Sequence, residues 1–152
     1  MIDLNADILS FQAAANIFIQ DNILDYIDEM YAYFHVTENE YIHFNEKSYG
    51  YILDDGSISV FTDADGVIKS VICHKGYEGR YNNTIYVGIT MEELKQMTQK
   101  QRILNGALII NDDFGLSLSL PAPYDEIADT LKDIPINLPF NEIVVANHLF
   151  WK

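Results

Sequence analysis

Two Asp/Gly turns set between alternating runs constrain the middle of this chain more than any other feature. Ser48 to Leu53 and Ser57 to Thr62 flank Asp54-Asp55-Gly56, and glycine at such a turn tolerates the positive φ that a tight hairpin needs. A second turn, Asp63-Ala64-Asp65-Gly66, leads into Val67 to His74. Three consecutive strands in an antiparallel meander are therefore expected, with short β segments beginning at about Tyr41.

Helical spacing governs the flanks of this meander. From Asp21 to about Phe34, Ile23, Leu24, Ile27, Met30, Tyr31 and Phe34 fall on one stripe, and Asp21 is placed to cap the free amides at the start. Ahead of it, Ile8 to Ile19 is apolar with mixed period and fits helix or strand. Tyr81 to Val87 is a further candidate strand. Thr90 and Glu93 have capping-box spacing, which starts a helix carrying Met91, Leu94 and Met97 inward, and Asn105-Gly106 closes that segment. Ala107 to Ile110 and Leu116 to Leu120 form another expected hairpin. Tyr124 to Ile134 reads as a helix with Tyr124, Ile127, Ala128, Leu131 and Ile134 on one face and Pro135 as its stop. Glu142 to Trp151 alternates weakly and is assigned as a last strand. The order predicts one α+β domain over residues 1–152, with a mostly antiparallel sheet and about three helices.

Charge narrows the function classes. The 23 acids outnumber the 9 lysines and arginines, for a formal net charge of -14. Residues 1–65 carry 13 acids and one base, residues 66–106 carry 3 acids and 6 bases, and residues 107–152 carry 7 acids and 2 bases. Such a surface repels phosphate backbones, so direct nucleic-acid binding is not expected; it attracts basic proteins and speeds their encounter. An apolar fraction of 49% with 10 Tyr and 8 Phe is too rich for a disordered segment. The single cysteine, Cys73, cannot close an intramolecular disulfide, the first residues lack the basic start of a secretory signal, and no apolar run approaches the roughly 18 residues of a spanning helix. These point to a cytoplasmic protein with no membrane partner.

Chemistry-bearing motifs are incomplete. Asp63-Ala64-Asp65-Gly66 shares part of a calcium loop, yet the position six residues past the glycine, where a glutamate should stand, is Ile72. Asp113-Phe114-Gly115 matches three letters of a kinase motif without the loops that give them meaning, and fits a hairpin turn. His35, His43, His74 and His148 lack metal-ligand spacing. Cys73 and His74 are adjacent, but neighbours on a strand point to opposite faces, so Cys73 is expected to be a small core residue. No catalytic residue, metal or cofactor is expected.

The candidate site is instead a surface. Opposite the apolar stripe of the first helix lie Asp21, Asp25, Asp28 and Glu29, flanked by Tyr26 and Tyr33. Tyrosine supplies contact area at low entropic cost, and these six residues are the expected partner-binding set. Asp125, Glu126, Asp129 and Asp133 form a rival anionic face on the later helix.

In size, acidity and element order, and in stretches such as Gly88-Ile89-Thr90-Met91-Glu92-Glu93-Leu94-Lys95 and Pro123-Tyr124-Asp125-Glu126-Ile127-Ala128, the chain resembles the small acidic immunity proteins that bacteria encode beside polymorphic toxins, including those of contact-dependent growth inhibition systems. The resemblance implies an inhibitor that binds a cognate toxin domain, often a basic nuclease, and blocks its active site or substrate surface. The alternative is a small ligand-binding domain or enzyme whose site is assembled from residues distant in sequence; a pocket with convergent polar groups would mark it.

Overall fold

A computed structural model describes residues 1–54 and 56–147. A small hairpin, β1 (Ala13–Ala14) and β2 (Ile17–Phe18), and helix α1 (Ile27–Tyr33) lead into a four-strand meander of β3 (Val36–His43), β4 (Glu46–Leu53), β5 (Ile58–Asp63) and β6 (Ile68–Cys73). Strand β7 (Ile89–Thr90) and helix α2 (Met91–Met97) precede a second meander of β8 (Gln101–Leu104), β9 (Ala107–Ile110) and β10 (Leu116–Ser119). Helix α3 (Tyr124–Ile127), β11 (Pro139–Phe140) and β12 (Ile143–Ala146) complete the order. Eight strands form one antiparallel sheet in the order β3-β4-β5-β6-β12-β10-β9-β8, so β12 joins the two meanders. The fold is α+β, as expected.

Alternation along the strands sorts the two faces of this sheet. Tyr51 opposes Val60, which opposes Val71, which opposes Val145, which opposes Leu116; two rungs away, Leu53, Ile58, Cys73, Ile143 and Leu118 make a second row. Both rows are buried in a single cluster with Ile8, Ile17, Ile23, Met30, Met91, Leu94 and Phe140 from the elements that cover this face. Each such aliphatic side chain contributes about 1.5–3 kcal/mol on burial. The opposite face carries Ser48, Ser59, Ser70 and Ser117 with Phe61, Ile72 and Val144. Gly50 lies there between two rings, where a Cβ would stand 3.0 Å from Phe61 and 3.1 Å from Tyr41.

The expected first meander is present within a residue or two of its bounds, with Asp55 of its turn outside the described residues. The Thr90/Glu93 capping box forms with both of its hydrogen bonds. Residues 8–19, readable either way, contain the β1–β2 hairpin, turned by Ala15 and Asn16 at φ of 54° and 60°.

Several expectations are corrected. The helix from Asp21 to Phe34 is two pieces, a 3-10 turn at Ile23–Asp25 and α1, because Asn22 rather than Asp21 caps the start and the chain breaks at Tyr26. Leu24 is 73% exposed and Tyr31 is also exposed, so neither belongs to the buried stripe. Tyr81 to Val87 is not a strand: Asn82 and Asn83 take positive φ and turn the chain so that Tyr81 and Ile85 bond to each other. Met97 is exposed rather than inward. The helix expected over Tyr124 to Ile134 stops after Ile127, which is exposed, and a separate 3-10 turn at Leu131–Asp133 is capped by Thr130 and Asp133. Of the last expected strand, Ile143–Ala146 forms, and residues 148–151 lie outside the described residues. Strands β3 and β8 are additions to the expected set.

Candidate protein-binding surface

The segment between β2 and β3 is anchored by few buried groups and therefore presents most of its side chains outward. Ile23 and Met30 enter the core, while Asn22 accepts from the Leu24 amide at 3.0 Å and donates to the Asp65 carbonyl at 3.0 Å, tying the 3-10 turn to the β5–β6 turn. These ties fix the rotation of the turn and of α1 after it. Asp25 and Asp28 project into solvent, and Tyr33 is 74% exposed.

The other three residues of the expected set have structural partners. The Tyr26 hydroxyl donates to Asp21 at 2.6 Å and accepts from the Phe18 amide at 3.1 Å, which closes the break between the two helical pieces over β2. Partial burial and the Asp21 hydrogen bond push the Tyr26 phenol up to about 12. Glu29 is half-buried and accepts from the Ile2 amide. Asp25, Asp28 and Tyr33 thus stand free for contact, with Asp21 exposed but engaged, and Tyr26 and Glu29 holding the surface in shape.

The fold adds residues to this surface that sequence reasoning missed. Tyr31 donates to Glu38 of β3 at 3.0 Å, and that bond raises its phenol pKa and docks α1 beside the strand. The β3–β4 hairpin then continues the same character: Glu38, Glu40, Tyr41, Ile42 and Phe44 are exposed, with Ile42 at 67% and Phe44 at 87%. Phe44 and Asn45 form a two-residue turn at φ of 50° and 63°. Phe44 packs edge-on against His43 at 4.3 Å between ring centres. A signal existed in the sequence, since asparagine after Phe44 supplies the positive φ that such turns require.

The rival anionic face is weaker than the sequence suggests. Asp133 accepts from the Asp129 and Thr130 amides at 3.0 Å each, and these bonds hold its carboxyl below the usual range. It is a cap. Asp125, Glu126 and Asp129 remain exposed on separate short pieces rather than on one helical face.

On the opposite face of the sheet, His74 lies within 3.0 Å of the Ser59 hydroxyl, and the buried Ser57 hydroxyl has no hydrogen-bond partner among the described residues. Cys73, one residue before, points the other way into the core, where burial pushes its thiol pKa well up. A cleft of about 380 Å³ beside His74 is lined by Ser119, Asn141 and Glu142 among others, and one of about 460 Å³ lies further along, over Phe61 and Ile72. Among the described residues no helix is long and apolar enough to cross a membrane. Comparison with known proteins finds no matching family model, no matching curated protein and no matching solved structure.

Proposed function

We propose that this chain is an immunity-type inhibitor that binds and neutralises a cognate, basic, nuclease-type toxin domain in the bacterial cytoplasm. The observation that carries the reading is the joint exposure of acids and large apolar side chains on one stretch: Asp25, Asp28, Glu38 and Glu40 with Leu24, Tyr31, Tyr33, Tyr41, Ile42 and Phe44. Acids steer a basic partner and aromatic anchors hold it once water is excluded. Elsewhere many acids are engaged, Asp133 and Glu93 as caps, Asp112 with Lys100 and Arg102, and Asp113 with Ser10 and Tyr81. The working assignment is therefore binding through Asp25, Asp28 and Tyr33, shaped by Asp21, Tyr26 and Glu29.

The test is binding to the product of the neighbouring gene. Asp25→Lys with Asp28→Lys is expected to lower the association rate at low salt by about tenfold or more, with a change in folding stability under about 0.5 kcal/mol. Unchanged binding after this reversal, with loss on reversing Asp125 and Glu126, would move the surface and keep the inhibitor reading. A neighbouring product that never binds would remove the reading.

The second reading, a ligand-binding or catalytic domain, is favoured by the Ser59–His74 pair beside a cleft. A serine hydroxyl bonded to an imidazole is the start of a nucleophile and base arrangement. Ser59 is nearly fully buried and the described residues hold no ion pair to His74, which leaves it the minor reading.

A further inference from the structure

The main sheet ends in two edges of unlike character. At β8 the edge is four residues long, three of them, Gln101, Ile103 and Leu104, only partly accessible, and the Leu131–Asp133 turn packs beside it. At β3 the edge is eight residues long, with six exposed and two half-buried. It pairs with β4 through eight unbroken rungs from Val36 opposite Leu53 to His43 opposite Glu46. Among the described residues no further strand pairs with it, and none of its backbone groups bonds outside the β3–β4 ladder. Every second residue of β3 therefore turns its N–H and C=O outward. Proteins blunt such edges with lysine, proline, bulges or shortness. Strand β3 has no lysine, proline or bulge and is not short, so its two glutamates are the charges that guard it, whereas the interior β5–β6 pair does carry a register shift at Phe61/Thr62.

The side chains determine what this edge rejects and what it accepts. Val36, Glu38, Glu40 and Ile42 share one face by alternation, so that face reads apolar, acid, acid, apolar. A second copy pairing antiparallel about Asn39 would set Glu38 opposite Glu40 twice, and in-register parallel pairing would set each acid beside itself. Like charges directly opposite are destabilising on a sheet. Lys47 reaches Glu40 at 3.3 Å, but among the described residues nothing cationic pairs with Glu38, whose bond is to the neutral Tyr31. The complement is a strand with two basic residues at alternate positions between apolar ones.

We infer that the outer edge of β3 accepts an extended basic segment of the partner as a ninth strand, with Lys or Arg opposite Glu38 and Glu40 and apolar side chains against Val36 and Ile42. This rests on the inhibitor reading for its biological partner, and on the edge itself for its chemistry. Phe44, beyond the end of the edge, would cover the last rung.

The test uses the full chain and a defined peptide, acetyl-Val-Thr-Lys-Thr-Lys-Thr-Val-amide, followed by amide hydrogen exchange. At a peptide concentration about ten times its dissociation constant, the outward amides of β3 are expected to exchange about tenfold more slowly. N-methylation of alternate peptide amides should abolish the effect, because it removes the inter-strand donors and leaves the charge. Glu38→Lys with Glu40→Lys should lose the lysine peptide and gain its glutamate counterpart. Equal protection by the methylated and unmethylated peptides, protection confined to another element, or no protection would overturn the assignment. Loss of binding to the neighbouring gene's product with peptide protection intact would remove the inhibitor reading and leave the edge assignment standing.

Discussion

The hairpins at the two ends of the main sheet, β3–β4 and β8–β9, turn in the same way and meet opposite surroundings. Phe44-Asn45 and Asn105-Gly106 are both two-residue turns at positive φ. Beyond the first turn lie eight-residue strands whose outer member is exposed; beyond the second lie four-residue strands whose inner member, Ala107–Ile110, is wholly buried. Gly106 is pressed against α3, with a Cβ there meeting the Asp125 carbonyl at 3.0 Å, while the first turn carries Phe44 into solvent. Turn chemistry alone therefore does not decide what a hairpin is for. The covering elements α2, α3 and the Leu131–Asp133 turn make one end scaffold, and their absence makes the other end a presenting surface.

Stability measurements in urea can break this contrast. Leu108→Ala, in β9, removes a fully buried side chain and should cost about 2–5 kcal/mol. Gly106→Ala places a Cβ on a residue at φ of 77° and against backbone, for about 1–2 kcal/mol; Asn45→Gly, at the matching turn, should stay within about 0.5 kcal/mol. Thr90→Ala removes the cap of α2 and should cost about 1 kcal/mol. Ile42→Ala and Phe44→Ala should each change stability by less than about 0.5 kcal/mol while weakening partner binding. If Ile42→Ala proved as costly as Leu108→Ala, the division into scaffold and surface would be wrong.

Acid sharpens the same contrast. The carboxyls held below their ordinary values are Glu93, by the Tyr86 hydroxyl and the Thr90 cap; Asp112, by Lys100; and Asp133, by the Thr130 and Asp129 amides. All three lie in the second half of the chain. A carboxyl whose pKa falls on folding adds stability above its unfolded value, 4.5 for Glu93 and 3.8 for the aspartates, and that stability is lost as pH drops through the folded value. Between about pH 5 and pH 3, amide protection should decline first in α2 and the β8–β10 meander. Alkali acts at both ends, since Tyr81, raised to about 12 by burial and the Asp113 hydrogen bond, and Tyr86, raised by its bond to Glu93, behave as the tyrosines of the first end do. Tyr26, raised to about 12, and Tyr31, raised by Glu38, stabilise fully below the unfolded value of 10.0 and lose that contribution as pH rises past it. Exchange that opened α1 first in acid would contradict the assignment of acid sensitivity to the second half.

The features legible in the sequence are those whose physical signals are local. Hairpins around Asp54–Gly56 and Asp63–Gly66, the Thr90/Glu93 box and the inward Cys73 all depend on neighbours within a few residues, and each is readable from them. Strand β3 has no period-2 pattern, because Thr37, Asn39, Tyr41 and His43 on one side are as exposed or half-exposed as Glu38, Glu40 and Ile42 on the other. An edge outside the core leaves no alternation to find. The first helix reads too long in the sequence because Leu24 and Tyr31 have apolar character at helical spacing, while the decisive group, the Tyr26 hydroxyl reaching Asp21 and Phe18, depends on tertiary placement. Of the six site residues, Asp25, Asp28 and Tyr33 lie at the surface as their spacing implies, Asp21 is exposed but bonded to Tyr26, and Tyr26 and Glu29 are engaged in holding the surface in shape.

Strand β12 comes after every other strand of the main sheet in chain order and yet lies between β6 and β10. During synthesis each meander can zip locally, since its partners are adjacent in sequence. The inner strands Ile68–Cys73 and Leu116–Ser119 must then wait with open, apolar edges until residues 143–146 arrive. Pairing Ile143 with Cys73 closes a loop of about 70 residues, which places folding among the slower, non-local topologies. For a newly made chain, the interval before β12 inserts is the period of greatest exposure to aggregation and to chaperones.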